Sequence, residues 1–255
     1  MPALLPRTER AAVGLLLEPG GRPGAENMAI DQVLLEEADR TGAAVLRLYR
    51  FDPPCLSFGR HEAALARYDR AAIARLGLDV VRRPTGGRAV WHEHEVTYAL
   101  AAPAATCGSL RDSCLAIHRT IAAALRALGA PVELAATGGP GGPGAGACFA
   151  HPAAGEVVVG TRKLVGSAQL RRGGAFLQHG SILLDGSQEM VRRVSRAPQP
   201  DGRETTLRAV LGRPVSFAEV AEAIVQAWDA TETALDRPRP PSTAAFLDPA
   251  WTWRR

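Results

Sequence analysis

The sequence is poor in lysine and in aromatic residues. Only one of its 30 basic residues is a lysine, Lys163, and the other 29 are arginine. Aromatic residues make up 5% of the chain and are not interleaved with a dense basic run, which argues against a nucleic-acid-binding surface. No apolar run approaches the roughly 20 residues that a membrane-spanning helix needs. We therefore expect no nucleic acid or membrane as a partner, and a cytoplasmic location.

Paired cysteines and nucleotide-binding motifs are also missing. The four cysteines, Cys55, Cys107, Cys114 and Cys148, include no Cys-x-x-Cys pair, so their spacing supports neither a zinc site nor a disulfide scaffold. The glycine-rich stretch at 137–152 lacks the Gly-Lys-Ser/Thr of a phosphate-binding loop and the G-x-G-x-x-G of a dinucleotide-binding loop. We expect the protein to work without a cofactor or a metal ion.

What the chain does contain is enough apolar sequence for one large folded domain. It has 255 residues, of which 46% are hydrophobic and 22% are charged, as in ordinary globular proteins. We expect a single domain over residues 1–236, followed by a loose, proline-rich tail over residues 237–255. The net charge of +4 is a modest basic excess, which suits an acidic protein partner without requiring one.

Local patterns predict mixed α and β structure. Strand patterns occur at 11–17, 44–51, 78–84, 88–100, 155–169 and 175–185, and helical spacing at 26–39, after Ser109 and over 216–230. Asn27 is a candidate N-cap for the first helix. The pairs Ser109–Asp112 and Ser216–Glu219 have the spacing of capping boxes. Cys114 falls on the apolar stripe of the second helix, and we expect it to be packed in the core.

Lys163 and Cys148 are the candidates for catalysis. An ammonium group is compact and can exchange its proton, whereas a guanidinium group is planar and stays charged. One lysine among so many arginines therefore favours a role that arginine cannot fill. Cys148 follows the glycine-rich run, and a reactive thiol works best on an accessible segment near a cation. A β-hairpin between the two residues would bring them together; the alternative is a structural cysteine at the edge of a surface linker.

The segment 82–100 carries polar residues and a glycine pair of the kind found around a ligand. Gly86 and Gly87 let a ligand approach the backbone closely, and Thr85 and Arg88 flank them with polar groups. By itself, however, a glycine pair is a weak signal.

His92 and His94 are two residues apart in the same segment. On a single strand they would share a face, and such a pair can bind a metal ion. No third ligand is evident from the spacing, so we expect these histidines to form a polar wall of a site or to lie on a partly exposed strand.

Five segments together resemble the lipoate-protein ligase and octanoyltransferase family. They are NMAIDQ (27–32), RLYRFDPPCLSFGRHE (47–62), RRPTGGRAVWHEHEVTYAL (82–100), KLVGSAQ (163–169) and LQHGSILL (177–184). The resemblance covers roughly residues 13–235. It implies the catalytic domain shared with biotin protein ligases, an α+β fold with a mixed, mainly antiparallel β-sheet flanked by helices.

The resemblance also implies roles for individual residues. In the cysteine-dependent octanoyltransferase branch, a cysteine followed by Phe or Leu is the nucleophile and a lysine is essential, which correspond to Cys148 and Lys163. The substrate-binding residues implied are Arg83, Thr85, Gly86, Gly87, Arg88, His92, Gly166, Ser167, Ala168, His179 and Gly180. The run of Gly and Pro before Cys148 is richer than expected for this branch.

Several activities are compatible with the family. The expected one is transfer of octanoate from octanoyl-acyl carrier protein to a lysine of a lipoyl-carrier protein, either the glycine cleavage H protein or a 2-oxoacid dehydrogenase lipoyl domain. The alternatives are an ATP-dependent lipoate-protein ligase, an octanoyl amidotransferase between carrier proteins, and a non-catalytic binder of acylated carriers. A binder would need neither Cys148 nor Lys163, which argues against the last of these.

Overall fold

The computed structural model describes residues 13–106, 108–136, 149, 153–199, 202–232 and 242–254. The strands in this part of the chain are β1 (Val13–Leu17), β2 (Ala44–Tyr49), β3 (Cys55–Phe58), β4 (Asp79–Arg82), β5 (Val90–His92), β6 (Glu95–Pro103), β7 (Glu133–Leu134), β8 (Val157–Val159), β9 (Arg162–Lys163), β10 (Val165–Arg172), β11 (Ala175–Leu183) and β12 (Thr231–Glu232). The helices are α1 (Gly24–Thr41), α2 (Ala64–Arg67), α3 (Arg70–Arg75), α4 (Leu110–Ala127), α5 (Glu189–Arg193), α6 (Leu207–Leu211), α7 (Phe217–Trp228), α8 (Ala244–Leu247) and α9 (Pro249–Thr252), with a 3₁₀ turn at Ala104–Thr106. None of these helices is long and apolar enough to cross a bilayer.

A six-stranded sheet in the order β10-β11-β6-β2-β1-β12 forms the centre of the fold. Its first four strands pair antiparallel, and β2, β1 and β12 pair parallel. Two three-stranded sheets, β4-β3-β5 and β7-β8-β9, complete the strands that the structure describes. The expected mixed, mainly antiparallel sheet with flanking helices is confirmed.

The two faces of the central sheet are buried by different helices. Along β2 the side chains alternate, so that Val45 and Tyr49 pack toward α1, whereas Leu46 and Leu48 pack into the core that α4 and α7 cover. Helices α4 and α7 begin with the predicted capping boxes. In each box the serine accepts from a backbone N–H of the first turn and the acid accepts from the serine N–H.

The first helix begins earlier than its sequence pattern predicts. It starts at Gly24 with Pro23 as the N-cap residue, so the prediction that Asn27 caps it is wrong. Asn27 is fully buried, and its side-chain amide donates to the backbone carbonyls of Arg22 and Arg50 at 3.0 and 3.1 Å. Asn27 therefore ties the helix to the end of β2.

The segment 88–100 forms two strands in different sheets. Strand β5 pairs with β3, whereas β6 pairs with β2 and β11. The bend between them separates the two histidines: His92 is buried, and the side chain of His94 is 59% exposed. The predicted shared face of His92 and His94 is therefore wrong, because the chain turns between them.

The end of the chain is packed rather than loose over residues 242–254. Phe246 is buried in the same core as α1, and the ring of Trp253 meets Phe58 edge-on at 5.3 Å. The buried Arg82 guanidinium donates to the carbonyls of Trp251 and Thr252. The expectation of a loose tail is wrong for these residues, although a boundary at residue 236 stays a prediction.

Candidate active site

A cavity lies where β10 and β11 face α1 and the small sheet β4-β3-β5. It is lined by Met28, Tyr49, Phe51, Ser57, Arg83, Val90, His92, Thr97, Gly166, Ser167, Ala168, His179, Gly180 and Ser181. The register of β10 and β11 sets Ser167 opposite Gly180 and Ala168 opposite His179. A side chain at Gly180 would bring its Cβ within 2.6 Å of Ser167 Oγ, so this close pairing requires glycine. The structure thus brings seven of the eleven expected binding residues to one cavity.

Gly86 and Gly87 form a turn, the glycine turn, which hydrogen bonds from Arg83 hold in place. Its guanidinium donates to the carbonyls of Gly86 and Arg88 at 3.0 and 2.6 Å, and Gly87 has a positive φ of 90°. Gly59, which the sequence reasoning did not single out, abuts this turn. A Cβ at Gly59 would lie 1.9 Å from the carbonyl oxygen of Gly87, so any side chain there would displace the turn. Arg83 is therefore a buried support for the turn as well as part of the cavity wall.

One wall of the cavity carries a buried, charge-balanced network around Asp31. Asp31 contacts Arg47 Nη1 at 2.8 Å, Tyr49 OH at 2.9 Å and His179 Nδ1 at 3.0 Å. His179 Nε2 in turn lies 2.5 Å from Thr85 Oγ1. Although burial alone raises the pKa of Asp31, the hydrogen bond from His179 and the charge of Arg47 hold it below its usual value. Burial lowers the pKa of His179 despite the nearby carboxylate.

Another part of the cavity wall carries a second carboxylate–histidine pair. His92 Nδ1 lies 2.7 Å from Glu95 Oε1, and His92 Nε2 lies 2.7 Å from Ser57 Oγ. Glu95 Oε1 also accepts from the hydroxyls of Thr97 and Ser181. His92 is thus part of a buried polar wall. No group of three His, Cys, Asp or Glu side chains arranged to hold a metal ion occurs in the described residues.

Lys163 lies on the short strand β9, which leads into β10 of the cavity wall. Its side chain is 2% exposed, and its ammonium forms an ion pair with Glu156 at 2.8 Å. The ammonium also lies 5.3 Å from the centre of the Phe149 ring. That ring is pressed against Gly166, where an added Cβ would approach it to 2.7 Å. Cys148, which precedes Phe149 in the chain, lies outside the described residues.

The other cysteines differ in their surroundings. Cys107 also lies outside the part of the chain that the structure describes. Cys55 is fully buried, and burial raises its thiol pKa well above the ordinary value. Cys114 is half-buried rather than packed in the core; its Sγ lies 3.7 Å from His118 Nδ1, and burial raises its pKa to about 11. Both described thiols are thus protonated and weakly nucleophilic at neutral pH.

Two functional candidates were missed by sequence reasoning, Asp31 and His118. Asp31 interrupts the buried face of α1 four residues after Asn27 and three before Leu34. A carboxylate at such a helical spacing signals a buried partner, and the sequence could have revealed it. His118 lies one turn after Cys114 on the buried side of α4, and only the fold shows that it reaches Ser167 on β10 at 2.9 Å.

Comparison with known structures identifies this fold as that of the lipoate-protein ligases. A lipoate-protein ligase A bound with ATP superposes with a TM-score of 0.73 at 20% identity, covering 89% of this chain and 91% of that one. The structure of a bi-partite lipoate protein ligase and its E2 lipoyl domain from Thermoplasma acidophilum gives a TM-score of 0.70 at 19% identity, covering 94% and 96%. At these identities the likeness establishes the fold alone.

Sequence relatives define the family. The family model of the lipoyl protein ligase A/B catalytic domain matches residues 23–229. A protein named octanoyltransferase LipM from Moorella thermoacetica is 40% identical over 229 residues, 84% of each chain, and one of the same name from Symbiobacterium thermophilum is 38% identical over 227 residues, 82% of each. The chain belongs to the lipoyl protein ligase A/B catalytic domain family.

Proposed function

We propose that this protein is an octanoyltransferase of lipoate biosynthesis, moving octanoate from octanoyl-acyl carrier protein to a lysine of a lipoyl-carrier protein. The observation that carries the proposal is the match, over more than four fifths of both chains, to relatives named octanoyltransferase LipM. The ion pair between Lys163 and Glu156 also supports the proposal. It holds the only lysine of the chain over the ring of Phe149, the residue that follows Cys148.

The mechanism proposed has two half-reactions. In the first, the Cys148 thiolate attacks the thioester of octanoyl-acyl carrier protein, and the carrier's thiolate leaves and takes up a proton. In the second, a lysine amine of the acceptor attacks the acyl-enzyme, forming an amide and releasing Cys148. Covalent catalysis lets the two carrier proteins visit the site one after the other. Thioester exchange is nearly isoenergetic, and formation of the more stable amide draws the sequence forward.

Lys163 has three roles in this proposal. Its ammonium favours the thiolate form of Cys148, polarises the thioester carbonyl and assists proton transfers. The anchoring of Phe149 beside Lys163 supports the assignment, because Phe149 directly follows Cys148. The glycine turn at Gly86 and Gly87 and the backbone at Gly166 are assigned to the acyl carbonyl.

The acyl chain is assigned to the cavity. Met28, Phe51 and Val90 supply apolar surface along it, and the walls carry the polar networks of Asp31 and Glu95. Four of the expected binding residues do not line the cavity. In this proposal Gly86, Gly87 and Arg88 act as the glycine turn, and Thr85 acts through its hydrogen bond to His179. Acyl carrier proteins are acidic, and the net charge of +4 suits such partners in the cytoplasm.

Donor choice tests the proposal. One lipoyl domain is offered three donors: octanoyl-acyl carrier protein without nucleotide, free octanoate or lipoate with ATP and magnesium, and an octanoylated H protein. We expect mass spectrometry to detect efficient labelling only from the first donor. Efficient ATP-driven labelling would indicate the ligase, and transfer from the H protein alone would indicate the amidotransferase.

Variants of the two proposed catalytic residues complete the test. Cys148→Ala should abolish the hydroxylamine-labile acyl-enzyme, whereas the matched variant Cys114→Ala should retain it. Lys163→Arg should be almost as inactive as Lys163→Ala, because guanidinium keeps the charge but loses the compact shape and exchangeable proton. ATP-driven labelling that survives Cys148→Ala, or near-normal activity of Lys163→Arg, would contradict these assignments.

A further inference from the structure

Two tryptophans near the end of the described chain contact three arginines from different segments. The guanidinium carbons of Arg60 and Arg254 lie 5.9 and 5.3 Å from the centre of the Trp251 ring. The guanidinium of Arg70, the first residue of α3, lies 5.2 Å from the ring centre of Trp253. Distances below about 6 Å are those of cation–π contacts. We call these three arginines and two rings the arginine surface.

The three guanidinium groups of the arginine surface carry unbalanced charge. Arg70 and Arg254 are exposed, and Arg60 is half-buried. Within the part of the chain that the structure describes, none of the three forms an ion pair or donates a hydrogen bond from its side chain. Their N–H donors are therefore available to a partner that brings negative charge.

The carboxylates that lie nearest in sequence have other partners. Asp69 and Asp248 are the N-cap residues of α3 and α9, and each accepts from backbone N–H groups of its own helix. Glu62 is buried, and its two oxygens accept from the Tyr68 hydroxyl at 2.7 Å and the Gly59 N–H at 3.3 Å. These acids thus stabilise the local fold and leave the arginine surface positive.

The tryptophan rings hold the guanidinium groups in place. Trp251 is itself fixed, because its indole Nε1 donates to the carbonyl of Arg82 at 2.9 Å, and the ring of Trp253 packs on Phe58. A guanidinium that lies over an aromatic ring keeps its N–H groups for carboxylate or phosphate oxygens. Ordering of a long side chain in advance reduces the entropy that is lost when a partner binds. Tryptophan and arginine are also among the residues that contribute most to binding at protein interfaces.

The arginine surface borders the glycine turn. The backbone N–H of Arg60 donates to the carbonyl of Thr85, the residue before the turn, at 2.8 Å. Gly87 in the turn lies near the cavity, since a Cβ added there would be 3.9 Å from the Cβ of Ala168, a residue that lines the cavity. A protein bound to the arginine surface would therefore lie beside the turn to which the acyl carbonyl is assigned above.

We propose that the arginine surface is the docking site of the acyl donor, an acidic acyl carrier protein. The proposal rests on the function proposed above. The donor carries its thioester on an arm that is joined to the carrier through a phosphate, so the carrier and its arm are both negative. Lipoyl domains can also be acidic, but the acceptor presents a lysine, whose ammonium group the three arginines repel. Charge complementarity therefore favours the donor at this surface.

Charge reversal in the double variant Arg70→Glu/Arg254→Glu tests the proposal. Formation of the acyl-enzyme is followed by intact mass with two donors, octanoyl-acyl carrier protein and octanoyl-pantetheine, a small thioester that has neither the protein nor the phosphate. We expect kcat/KM for loading from the carrier protein to fall about 10-fold or more, mainly through a higher KM. Loading from octanoyl-pantetheine, and transfer from the isolated acyl-enzyme to a lipoyl domain, should keep their rates.

The matched control is Arg111→Glu/Arg119→Glu, which makes the same change in net charge on α4, at the other face of the central sheet. Both arginines are exposed, and the control should load from the carrier protein at the unchanged rate. Added salt should slow this loading in the unchanged protein and in the control more than in Arg70→Glu/Arg254→Glu, because salt screens exposed charges. If the reversed variant does not fold, Arg70→Gln/Arg254→Gln repeats the test with a smaller loss in the same direction.

The outcomes separate the docking site from the proposed function. Loading from the carrier protein at the unchanged rate would overturn the docking site and leave the transferase standing. An equal loss with octanoyl-pantetheine would also overturn it, since the defect would then lie in the cavity. A loss confined to transfer would assign the surface to the lipoyl domain instead. Absence of any acyl-enzyme in the unchanged protein would remove the proposed function, and the docking proposal with it.

Discussion

The two carboxylate–histidine pairs that flank the cavity differ in how their charge is balanced. Asp31 shares its oxygens between His179, Tyr49 and the guanidinium of Arg47, so its negative charge faces a permanent positive one. Glu95 receives its three hydrogen bonds on one oxygen, and its Oε2 has no hydrogen-bond partner among the described residues. The first network is closed, whereas the second has an unused acceptor.

This difference indicates which wall supports the fold. Arg47 is fully buried and also bonds Glu18 and Asn27, so the Asp31 network joins the residue after β1 to β2, α1 and β11. A buried charge that loses its partner is costly. The Glu95 network contains no arginine or lysine among the bonds to its carboxylate, and one of its members, His92, stacks on Phe51 in the cavity wall at 4.1 Å. We expect the first wall to control stability and the second to tolerate change.

The largest effect should come from breaking the closed network. Asp31→Asn removes the fully buried carboxylate partner of Arg47 and leaves Arg47 paired with Glu18, so we expect a loss of about 3 kcal/mol in the free energy of unfolding, at the lower end for a broken buried ion pair. Urea denaturation at neutral pH measures this loss. The double variant Asp31→Asn/Arg47→Met removes both charges and should recover part of the stability. A loss below about 1 kcal/mol, the range of surface ion pairs, would show that Arg47 is not paired as described.

A smaller effect is expected at the open network. Glu95→Gln retains an oxygen for His92, Thr97 and Ser181 and replaces the unpartnered oxygen with an amide nitrogen. We expect a loss of about 1 kcal/mol or less in the same urea measurement, since no ion pair with arginine or lysine is broken. A loss as large as that of Asp31→Asn would abolish the distinction between the two walls.

The pH dependence of stability should provide the finest comparison. Burial lowers the pKa of His179, so the folded state resists a proton that the unfolded state binds. This contribution to stability is present above the unfolded value of about 6.5 and is lost as pH falls from there toward the folded value. Asp31, whose pKa is lowered from 3.8, adds a second loss at more acidic pH.

The measurement is urea unfolding between neutral pH and pH 5. His179→Gln should flatten the decline below pH 6.5, while His94→Gln, at an exposed position in the bend after β5, should leave it unchanged. An equally steep decline in His179→Gln would show that the Asp31 pair does not hold a neutral histidine.

Much of the fold could be predicted from local sequence signals. The capping boxes at Ser109 and Ser216 depend on residues three apart, and the structure confirms both. It also confirms a strand within 44–51, which ends at Tyr49. The separation of His92 from His94 could not be predicted, because strand patterns do not show which sheet each half joins. The N-cap prediction for Asn27 was wrong because its side chain instead bonds Arg47 on β2 and the Arg50 carbonyl just after it, both distant in sequence.

Motif segments supply part of the cavity lining. Ser167, His179 and Arg83 line the cavity, and Arg83 also holds the glycine turn through the Gly86 carbonyl. The supporting residues were not predictable in the same way. Gly59 and His118 gain their roles from contacts with segments 28 and 49 residues away, which no local pattern encodes. The roles of Cys148 and Lys163 stay predictions.

Residues 242–254 help to hold the residues next to the cavity in place through their hydrogen bonds with Arg82. The guanidinium of Arg82 bonds the carbonyls of Trp251 and Thr252 on one side and those of Gly59 and Glu62 on the other. Gly59 also abuts the glycine turn. Gly59 and Arg82 therefore connect that turn to the carbonyls of Trp251 and Thr252. Truncating the chain before residue 242 would remove these carbonyl acceptors from Arg82, and we expect the effect to reach the glycine turn beside the cavity without changing any residue that lines the cavity.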